Sequence, residues 1–267
     1  MLASLSKRPA RPRIVSLAPS VTSILVALGA RRDLVAVSRW CRQVAPVEGL
    51  PALGDAWATE TKPIERLRPT LIIGSVPYRA ETLEKLLAIP APFLATNPRT
   101  LADVYAEIHL LGAVIGRSAA AARLERKMRA ALGDVARQAA RALDRPRVYA
   151  ESWPNPRISS PPWVGELIEM AGGKMVLPAG KRVSDEEVRR ARPDAIVLAW
   201  AAAGARSRRE SALENPAWQA VRAVRTGRVF VVPDHLLNTP GPPLVEGARA
   251  LLRVLHPEIR LFGSRGV

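Results

Sequence analysis

The chain has 267 residues, 48% of them hydrophobic, and a formal net charge of +16. This length suits one large α/β domain or two lobes of about 110 to 130 residues each. No stretch approaches the roughly 18 apolar residues of a membrane span, and the single cysteine, Cys41, excludes an internal disulfide framework.

The positive charge is not organised as a nucleic-acid surface. Arginines are scattered among acids in segments such as ARLERKMRAALGDVARQAARALDRPR, without a basic stripe interleaved with aromatic residues. We therefore expect no nucleic-acid partner. Residues 1–12 form a basic tail whose apolar segment is too short for a secretory signal. This predicts a cytoplasmic protein, or a periplasmic or cell-surface protein if the true leader is missing.

The first half of the chain alternates strands and helices. The strand-like runs are RIVSLAP, LVAVSRW, LIIG and PFLATN, and the helix-like runs are SVTSILVALGA, IERLR and AETLEKLLAI. This alternation predicts a parallel sheet with helices on its faces. Two longer helical segments follow, TLADVYAEIHLLGAVIG and SAAAARLERKMRAALGDVARQAARAL. The second has an apolar stripe and, at about 26 residues, would span roughly 39 Å.

After Pro146 the alternation restarts, and the segment RLRPTLIIG returns as RARPDAIVL. In both copies a basic helix end meets a proline, which favours extended geometry at the preceding residue, Arg68 or Arg192. The repeat predicts two Rossmann-like α/β lobes with parallel sheets, joined by a long rigid helix. The expected divisions are a tail (1–12), a first lobe (13–116), a linking helix (117–145) and a second lobe (146–267).

Aromatic residues gather where the strand-like runs end. In open α/β sheets, ligands bind beyond the carboxyl ends of the strands. The rings either plug the edges of the sheets or line a ligand cleft between the lobes, and their number favours the cleft. The residues concerned are Trp40, Trp57, Tyr78, Trp153, Trp163 and Trp200.

Catalytic signatures are absent from the sequence. It contains no G-x-G-x-x-G, P-loop, G-x-S-x-G or H-E-x-x-H motif, and its three histidines are far apart. We expect no enzyme activity, no metal site and no cofactor. Asp234, His235 and Asn238 follow the last strand and could reach the cleft, although such a turn needs no function. Asp234, His235 and Glu151 are the residues on which an alternative enzyme that modifies its ligand would depend.

Four motifs, RIVSLAPSVTSILVALG, LRPTLIIG, ARPDAIVLAW and GPPLVEGARALLRVLHP, resemble the cobalamin and ferric-siderophore substrate-binding proteins of ABC importers. The resemblance runs from Arg13 to about His256. It implies a class III periplasmic binding protein fold and a monomer that captures a corrinoid or similar metal chelate between its lobes. The implied partner is an ABC transporter permease. The alternative is a cytoplasmic relative that binds or modifies a corrinoid, ferric-siderophore or haem ligand without docking on a transporter.

The resemblance also implies roles for individual residues. In the cobalamin-binding group, the corrin-contacting aromatics match Trp40 and Trp57, and an acid after the last strand matches Asp234. The basic residue four positions later is here Asn238. Arg157 is a further candidate for contact with ligand carboxylates or amides.

Members of that family dock on their transporter through one acidic residue in each lobe. Glu186, seven residues before Pro193, fits this pattern in the second lobe. The same offset from Pro69 in the first lobe falls on Lys62. We therefore expect Glu186 to be a docking residue.

Overall fold

The computed structural model describes residues 11–54, 59–76, 79–202 and 207–259. The chain forms two compact units that are interleaved in sequence. The first contains the residues up to Asn97 together with His109–Ala121, and the second contains Pro98–Ile108 and the residues from Ala122 onward. The linear domain boundaries expected from the sequence remain a prediction.

The first unit is built on a parallel sheet. In the described part of this unit the strands lie in the order β3-β2-β1-β4-β5, and neighbouring strands are parallel. The central strand β1 is buried along its whole length, as is typical of a parallel sheet covered on both faces. The elements are β1 (Ile14–Ser16), α1 (Pro19–Ala27), β2 (Leu34–Ser38), β3 (Ala52–Leu53), α2 (Thr61–Arg66), β4 (Leu71–Ser75), α3 (Ala80–Leu87) and β5 (Phe93–Thr96).

Two long helices follow, α4 (Leu101–Val114) and α5 (Ser118–Ala139), and each contributes residues to both units. Helix α5 has 22 residues rather than the expected 26 and measures roughly 33 Å. The predicted apolar stripe is buried, at Met128, Leu132 and Val135. No described helix is long and apolar enough to span a membrane.

The second unit repeats the α/β alternation with one exception. The described strands lie in the order β10-β9-β6-β7, and β8 also pairs with β6. Strand β7 runs antiparallel to β6, because the two residues that join them are too few for a crossover. The elements are β6 (Arg147–Pro154), β7 (Arg157–Ser159), α6 (Pro162–Met170), β8 (Lys174–Met175), α7 (Asp185–Ala191), β9 (Ala195–Leu198), α8 (Glu210–Leu213), α9 (Arg222–Arg225), β10 (Val229–Val231), α10 (Asp234–Leu237) and α11 (Leu244–Leu255).

The sequence repeat is also a structural repeat at the amino ends of the strands. The Arg13 backbone N–H donates to the Thr70 hydroxyl at 2.9 Å, and the Thr70 N–H donates back to the Arg13 carbonyl at 2.9 Å. Arg147 and Asp194 make the equivalent pair at 3.0 and 2.7 Å. Both guanidinium groups also donate to a carbonyl at the end of the helix, that of Leu67 at 2.6 Å and that of Ala191 at 2.7 Å.

The residue before each repeated proline is left-handed, so the expectation of extended geometry there was wrong. Arg68 and Arg192 both have a φ of 45°. Each closes a helix, with its N–H donating to the carbonyl of Glu65 at 2.9 Å or Arg189 at 3.2 Å. A left-handed residue is a common way to end a helix, and here it outweighs the bias from the following proline.

Candidate functional site

The carboxyl edge of the second sheet is organised around Glu151, which is fully buried in β6. Its carboxylate accepts hydrogen bonds from the Tyr149 hydroxyl at 2.8 Å, the Trp200 indole N–H at 2.9 Å and the Arg157 guanidinium at 2.6 Å. Tyr149 and Glu151 share a face of the strand because side chains alternate along it. The edge therefore has a buried anion with three donors directed at it.

The Glu151–Arg157 ion pair balances two opposing effects. Burial raises the pKa of the Glu151 carboxyl, and Arg157 and the two neutral donors oppose that rise by stabilising the ionised form. The Arg157 side chain is only 19% exposed. Its guanidinium also pairs with Asp185 at 3.1 Å and lies 4.3 Å from the centroid of the Trp218 ring. Its hydrogen bonds are thus directed into the protein.

The segment that follows β9 is held by two of the predicted ligand residues. Trp200 is 9% exposed and packs in the core of the second unit. On either side of it, Asn238 donates to the Ala199 carbonyl at 2.6 Å and Asp234 accepts from the Ala202 N–H at 2.9 Å. The Asn238 side-chain oxygen is buried and has no hydrogen-bond partner among the described residues, which leaves one acceptor unused.

Trp153 and Trp163 present ring surface without a free N–H. Trp153 lies near the end of β6, beside the turn into β7. It is 40% exposed and donates its indole N–H to the Asn155 carbonyl at 2.8 Å. Trp163 is half-buried in the first turn of α6 and donates to the Leu237 carbonyl at 2.8 Å. What both rings offer to a ligand is therefore apolar surface.

The carboxyl edge of the first sheet contains small neutral groups. The Thr22 hydroxyl lies 2.7 Å from the Ser16 hydroxyl and 3.0 Å from the Cys41 sulfur, which is 3.1 Å from the Ser38 hydroxyl. All four side chains are buried. Burial raises the pKa of the Cys41 thiol, so this sulfur stays protonated and is a poor metal ligand.

Trp40 follows β2 in a short 3₁₀ helix, Arg39–Gln43, where the sequence predicted the end of a strand. Its ring is half-buried, with the Arg39 guanidinium carbon 5.5 Å from the ring centroid. The other two predicted aromatic residues, Trp57 and Tyr78, lie outside the described residues.

The predicted docking residue, Glu186, lies in the first turn of α7 and is partly exposed. Its carboxylate accepts a hydrogen bond from Arg189 at 2.7 Å and pairs with Arg190 at 2.7 Å. The bond from Arg189 lowers the pKa of Glu186. This acid is therefore ionised and already matched by cations on its own helix.

Sequence reasoning missed the network around Glu151. It gave Glu151 a role only in the enzyme alternative and none to Tyr149 or Asp185. One signal was available, because a glutamate inside an apolar strand needs a buried partner. Arg157, six residues later, is the first cation that follows it along the chain.

Comparisons with known proteins agree with this architecture. Residues 14–236 match the model of a family described as periplasmic binding protein. The chain is 26% identical over 259 residues to an "uncharacterized ABC transporter substrate-binding lipoprotein", YvrC of Bacillus subtilis (strain 168), covering 92% of this chain and 80% of that protein.

Two solved structures illustrate the similarity of fold. A periplasmic heme binding protein from Pseudomonas aeruginosa has a TM-score of 0.83 at 23% identity, covering 94% of this chain and 95% of its own. The vitamin B12 binding protein BtuF of Vibrio cholerae has a TM-score of 0.73 at 24% identity, covering 94% and 98%. The expected class III periplasmic binding protein fold is confirmed.

Proposed function

Because this chain belongs to the periplasmic binding protein family, we propose that it is the substrate-binding protein of an ABC importer and that its ligand is a corrinoid or similar planar metal chelate. Its Bacillus relative is a lipoprotein. This supports a periplasmic or cell-surface location and does not support the cytoplasmic location expected from the sequence.

One observation carries the choice of ligand class. The indole N–H groups of Trp153, Trp163 and Trp200 all donate to protein acceptors. The exposed part of Trp153 is therefore a ring already fixed by its own hydrogen bond, which suits stacking on a flat apolar ligand. Trp40, half-buried after β2, is the aromatic residue that we assign to the first unit.

Axial ligation distinguishes a corrinoid from haem. Haem iron is commonly held by a protein histidine, thiolate or tyrosine. Cys41 is buried and protonated, whereas His235 is half-buried beside Asp234. We place a corrinoid first because the sequence motifs resemble the cobalamin-binding group, and we keep haem, ligated by His235, as the second candidate, which the similarity to the Pseudomonas heme binding protein supports.

The test is a titration of the purified chain with cyanocobalamin and, separately, with haemin. Binding is followed by tryptophan fluorescence and calorimetry. We expect saturable one-to-one binding of cyanocobalamin that Trp153→Ala and Trp40→Ala each weaken about 10- to 100-fold, because a lost ring contact is worth about 1.5 to 3 kcal/mol. Leu143→Ala, which removes another exposed apolar side chain, is the matched control.

The outcomes separate the candidates. Binding of haemin alone, with a Soret shift abolished by His235→Ala, would replace the corrinoid by haem. Recovery of a chemically altered ligand from the complex would support the enzyme alternative. Binding of neither ligand up to about millimolar, or weaker than roughly −4 kcal/mol, would contradict the proposed ligand class.

We infer further that Glu186 docks on the transporter. It lies at the position in the second repeat that Lys62 holds in the first, and it would exchange Arg189 and Arg190 for basic residues of the permease. Glu186→Gln is expected to lower ligand uptake through the cognate transporter while leaving ligand affinity in solution unchanged. Unchanged uptake would exclude this role.

A further inference from the structure

His256, at the C-terminal end of α11, is wholly buried, yet neither of its ring nitrogens has a hydrogen-bond partner among the described residues. Leaving a buried polar group unpaired costs free energy, so each such group calls for a water, an ion or another explanation. An imidazole with both nitrogens unpaired is the least expected case, because in its neutral form it has one donor and one acceptor.

Two carboxylates lie close to one of these nitrogens. Nδ1 of His256 is 3.7 Å from an oxygen of Asp144 and 3.4 Å from an oxygen of Glu258. The ligand atoms of all three residues lie within 4.8 Å of one another. Neither contact meets hydrogen-bond geometry. A cation about 2.0 to 2.2 Å from each ligand atom in tetrahedral geometry would separate neighbouring ligand atoms by about 3.3 to 3.6 Å. The two distances from Nδ1 are close to this range.

We propose that Asp144, His256 and Glu258 bind a divalent cation of the zinc class. One imidazole nitrogen and two carboxylate oxygens suit Zn²⁺ and neighbouring first-row metals, with a fourth position left for water. The two acids are 68% and 55% exposed, so a cation can enter from solvent.

The packing around His256 fixes which nitrogen faces the acids. Nε2 lies against Gly172, where a Cβ atom would come within 2.8 Å of it, and Gly172 has a φ of +80° that favours glycine. This leaves Nδ1 directed toward the carboxylates. The neighbouring Arg145 donates to the Gly173 carbonyl and pairs with Glu169, so its charge already has a partner other than the three ligands.

The cation site lies away from the residues proposed to contact the corrinoid. Asp144 precedes β6 and Gly172 precedes β8, so the site is at the amino edge of the second sheet, whereas Glu151 and Trp153 are toward its carboxyl edge. A bound cation would join the segment that enters β6 to the end of α11. It would thus act as a structural clamp, whatever ligand the protein transports.

The test begins with protein stripped of metal by a chelator and titrated with zinc chloride by calorimetry. The expected result is one-to-one binding in the micromolar range with a rise in melting temperature. Asp144→Asn and Glu258→Gln should each weaken Zn²⁺ binding at least 10-fold. Both side chains are exposed, so these variants should fold, and Glu214→Gln, at another exposed acid of the second unit, should leave binding unchanged.

Nuclear magnetic resonance identifies the histidine involved, because the chain contains only three. In protein labelled at histidine, Zn²⁺ should shift the His256 ring resonances before those of His109 or His235. The proposal is overturned by no binding up to millimolar zinc, or by binding that shifts only the other two histidines and is insensitive to both variants. A His256 ring that is protonated, pairs with the two carboxylates and binds no metal would also overturn it.

Discussion

The two sheets are alike at their amino edges and different at their carboxyl edges. At the amino edges, Arg13 with Thr70 and Arg147 with Asp194 make the same reciprocal pair of hydrogen bonds, one to a side chain and one to a backbone carbonyl. At the carboxyl edges, the first unit has a buried cluster of hydroxyls and a protonated thiol, whereas the second has a buried carboxylate with a guanidinium. The repeated contacts are thus those that build the fold.

This difference indicates how a duplicated fold separates scaffold from recognition. Each amino-edge pair contains an arginine that both copies of the repeat retain, and its guanidinium fixes the first strand to a helix end. The carboxyl edges are where open α/β folds bind ligands, and there the first unit has a neutral cluster whereas the second has a buried ion pair. The charged edge, around Glu151, should therefore dominate both stability and ligand orientation.

The largest expected effect comes from breaking the ion pair at the charged edge. Glu151→Gln keeps the shape of the side chain but leaves Arg157 without its buried anion. Removing one partner of a buried pair costs about 3 kcal/mol or more, so the free energy of unfolding should fall by about that amount in urea denaturation at pH 7.

A double variant distinguishes the ion pair from packing. Glu151→Gln combined with Arg157→Met removes both charges and should recover part of the loss, because no buried charge is left unpaired. If the single variant loses less than about 1 kcal/mol, then the second edge is no more dependent on charge than the first, and the proposed contrast fails.

The neutral edge should be less sensitive. Thr22→Val removes the hydroxyl that lies between Ser16 and Cys41 while keeping a β-branched shape. Leaving buried polar neighbours without a partner costs about 1 to 2 kcal/mol. Urea denaturation should show this smaller loss, and a loss equal to that of Glu151→Gln would show that charge is not what distinguishes the edges.

Local pattern predicted much of the scaffold and little of the charged network. The alternation of elements, the paired helix–proline–strand segments and the buried stripe of α5 were readable from sequence because each depends on neighbours along the chain. The bond from Trp200 to Glu151 joins residues 49 positions apart. Trp200 follows β9 by two residues, close to the strand end that the sequence predicted, but its ring direction was not predictable and it packs in the core.

The two repeated helices begin differently, which gives a third prediction. Helix α7 has a capping box, in which Ser184 and Glu187 bond to each other's backbone N–H, whereas Glu60, at the N-cap position of α2, makes no side-chain cap. Ser184→Ala should lower the free energy of unfolding by about 1 kcal/mol. Glu60→Ala should produce no comparable loss, and equal losses would remove this difference between the repeats.

The capping box also has a dependence on pH. Hydrogen bonds from the Ser184 N–H and hydroxyl lower the pKa of Glu187 in the folded protein. Its stabilising contribution is therefore complete above the unfolded pKa of about 4.3 and is lost as pH falls through the folded value. In an NMR titration, Ser184→Ala should move the pKa of Glu187 upward, and an unchanged pKa would argue against the box.

The smallest expected effect tests the feature that the two repeats share most closely, the left-handed residue before each proline. Glycine tolerates a positive φ that alanine does not, so Arg68→Gly should be more stable than Arg68→Ala by about 0.5 to 1 kcal/mol. Arg192→Gly and Arg192→Ala should differ by a similar amount. Comparing the two variants at one position removes the loss of the arginine side chain from the measurement.

Arg126, an exposed residue inside α5, supplies the control, because there the alanine variant must be more stable than the glycine variant. In a helix interior, alanine is more stable than glycine by about 1 kcal/mol. Denaturation of the six variants gives the difference in free energy of unfolding between glycine and alanine at each position. This difference should have the same sign at Arg68 and Arg192 and the opposite sign at Arg126. If alanine were the more stable at either helix end, the left-handed backbone would not be maintained there. The structural repeat would then be limited to the hydrogen bonds of Arg13 and Arg147.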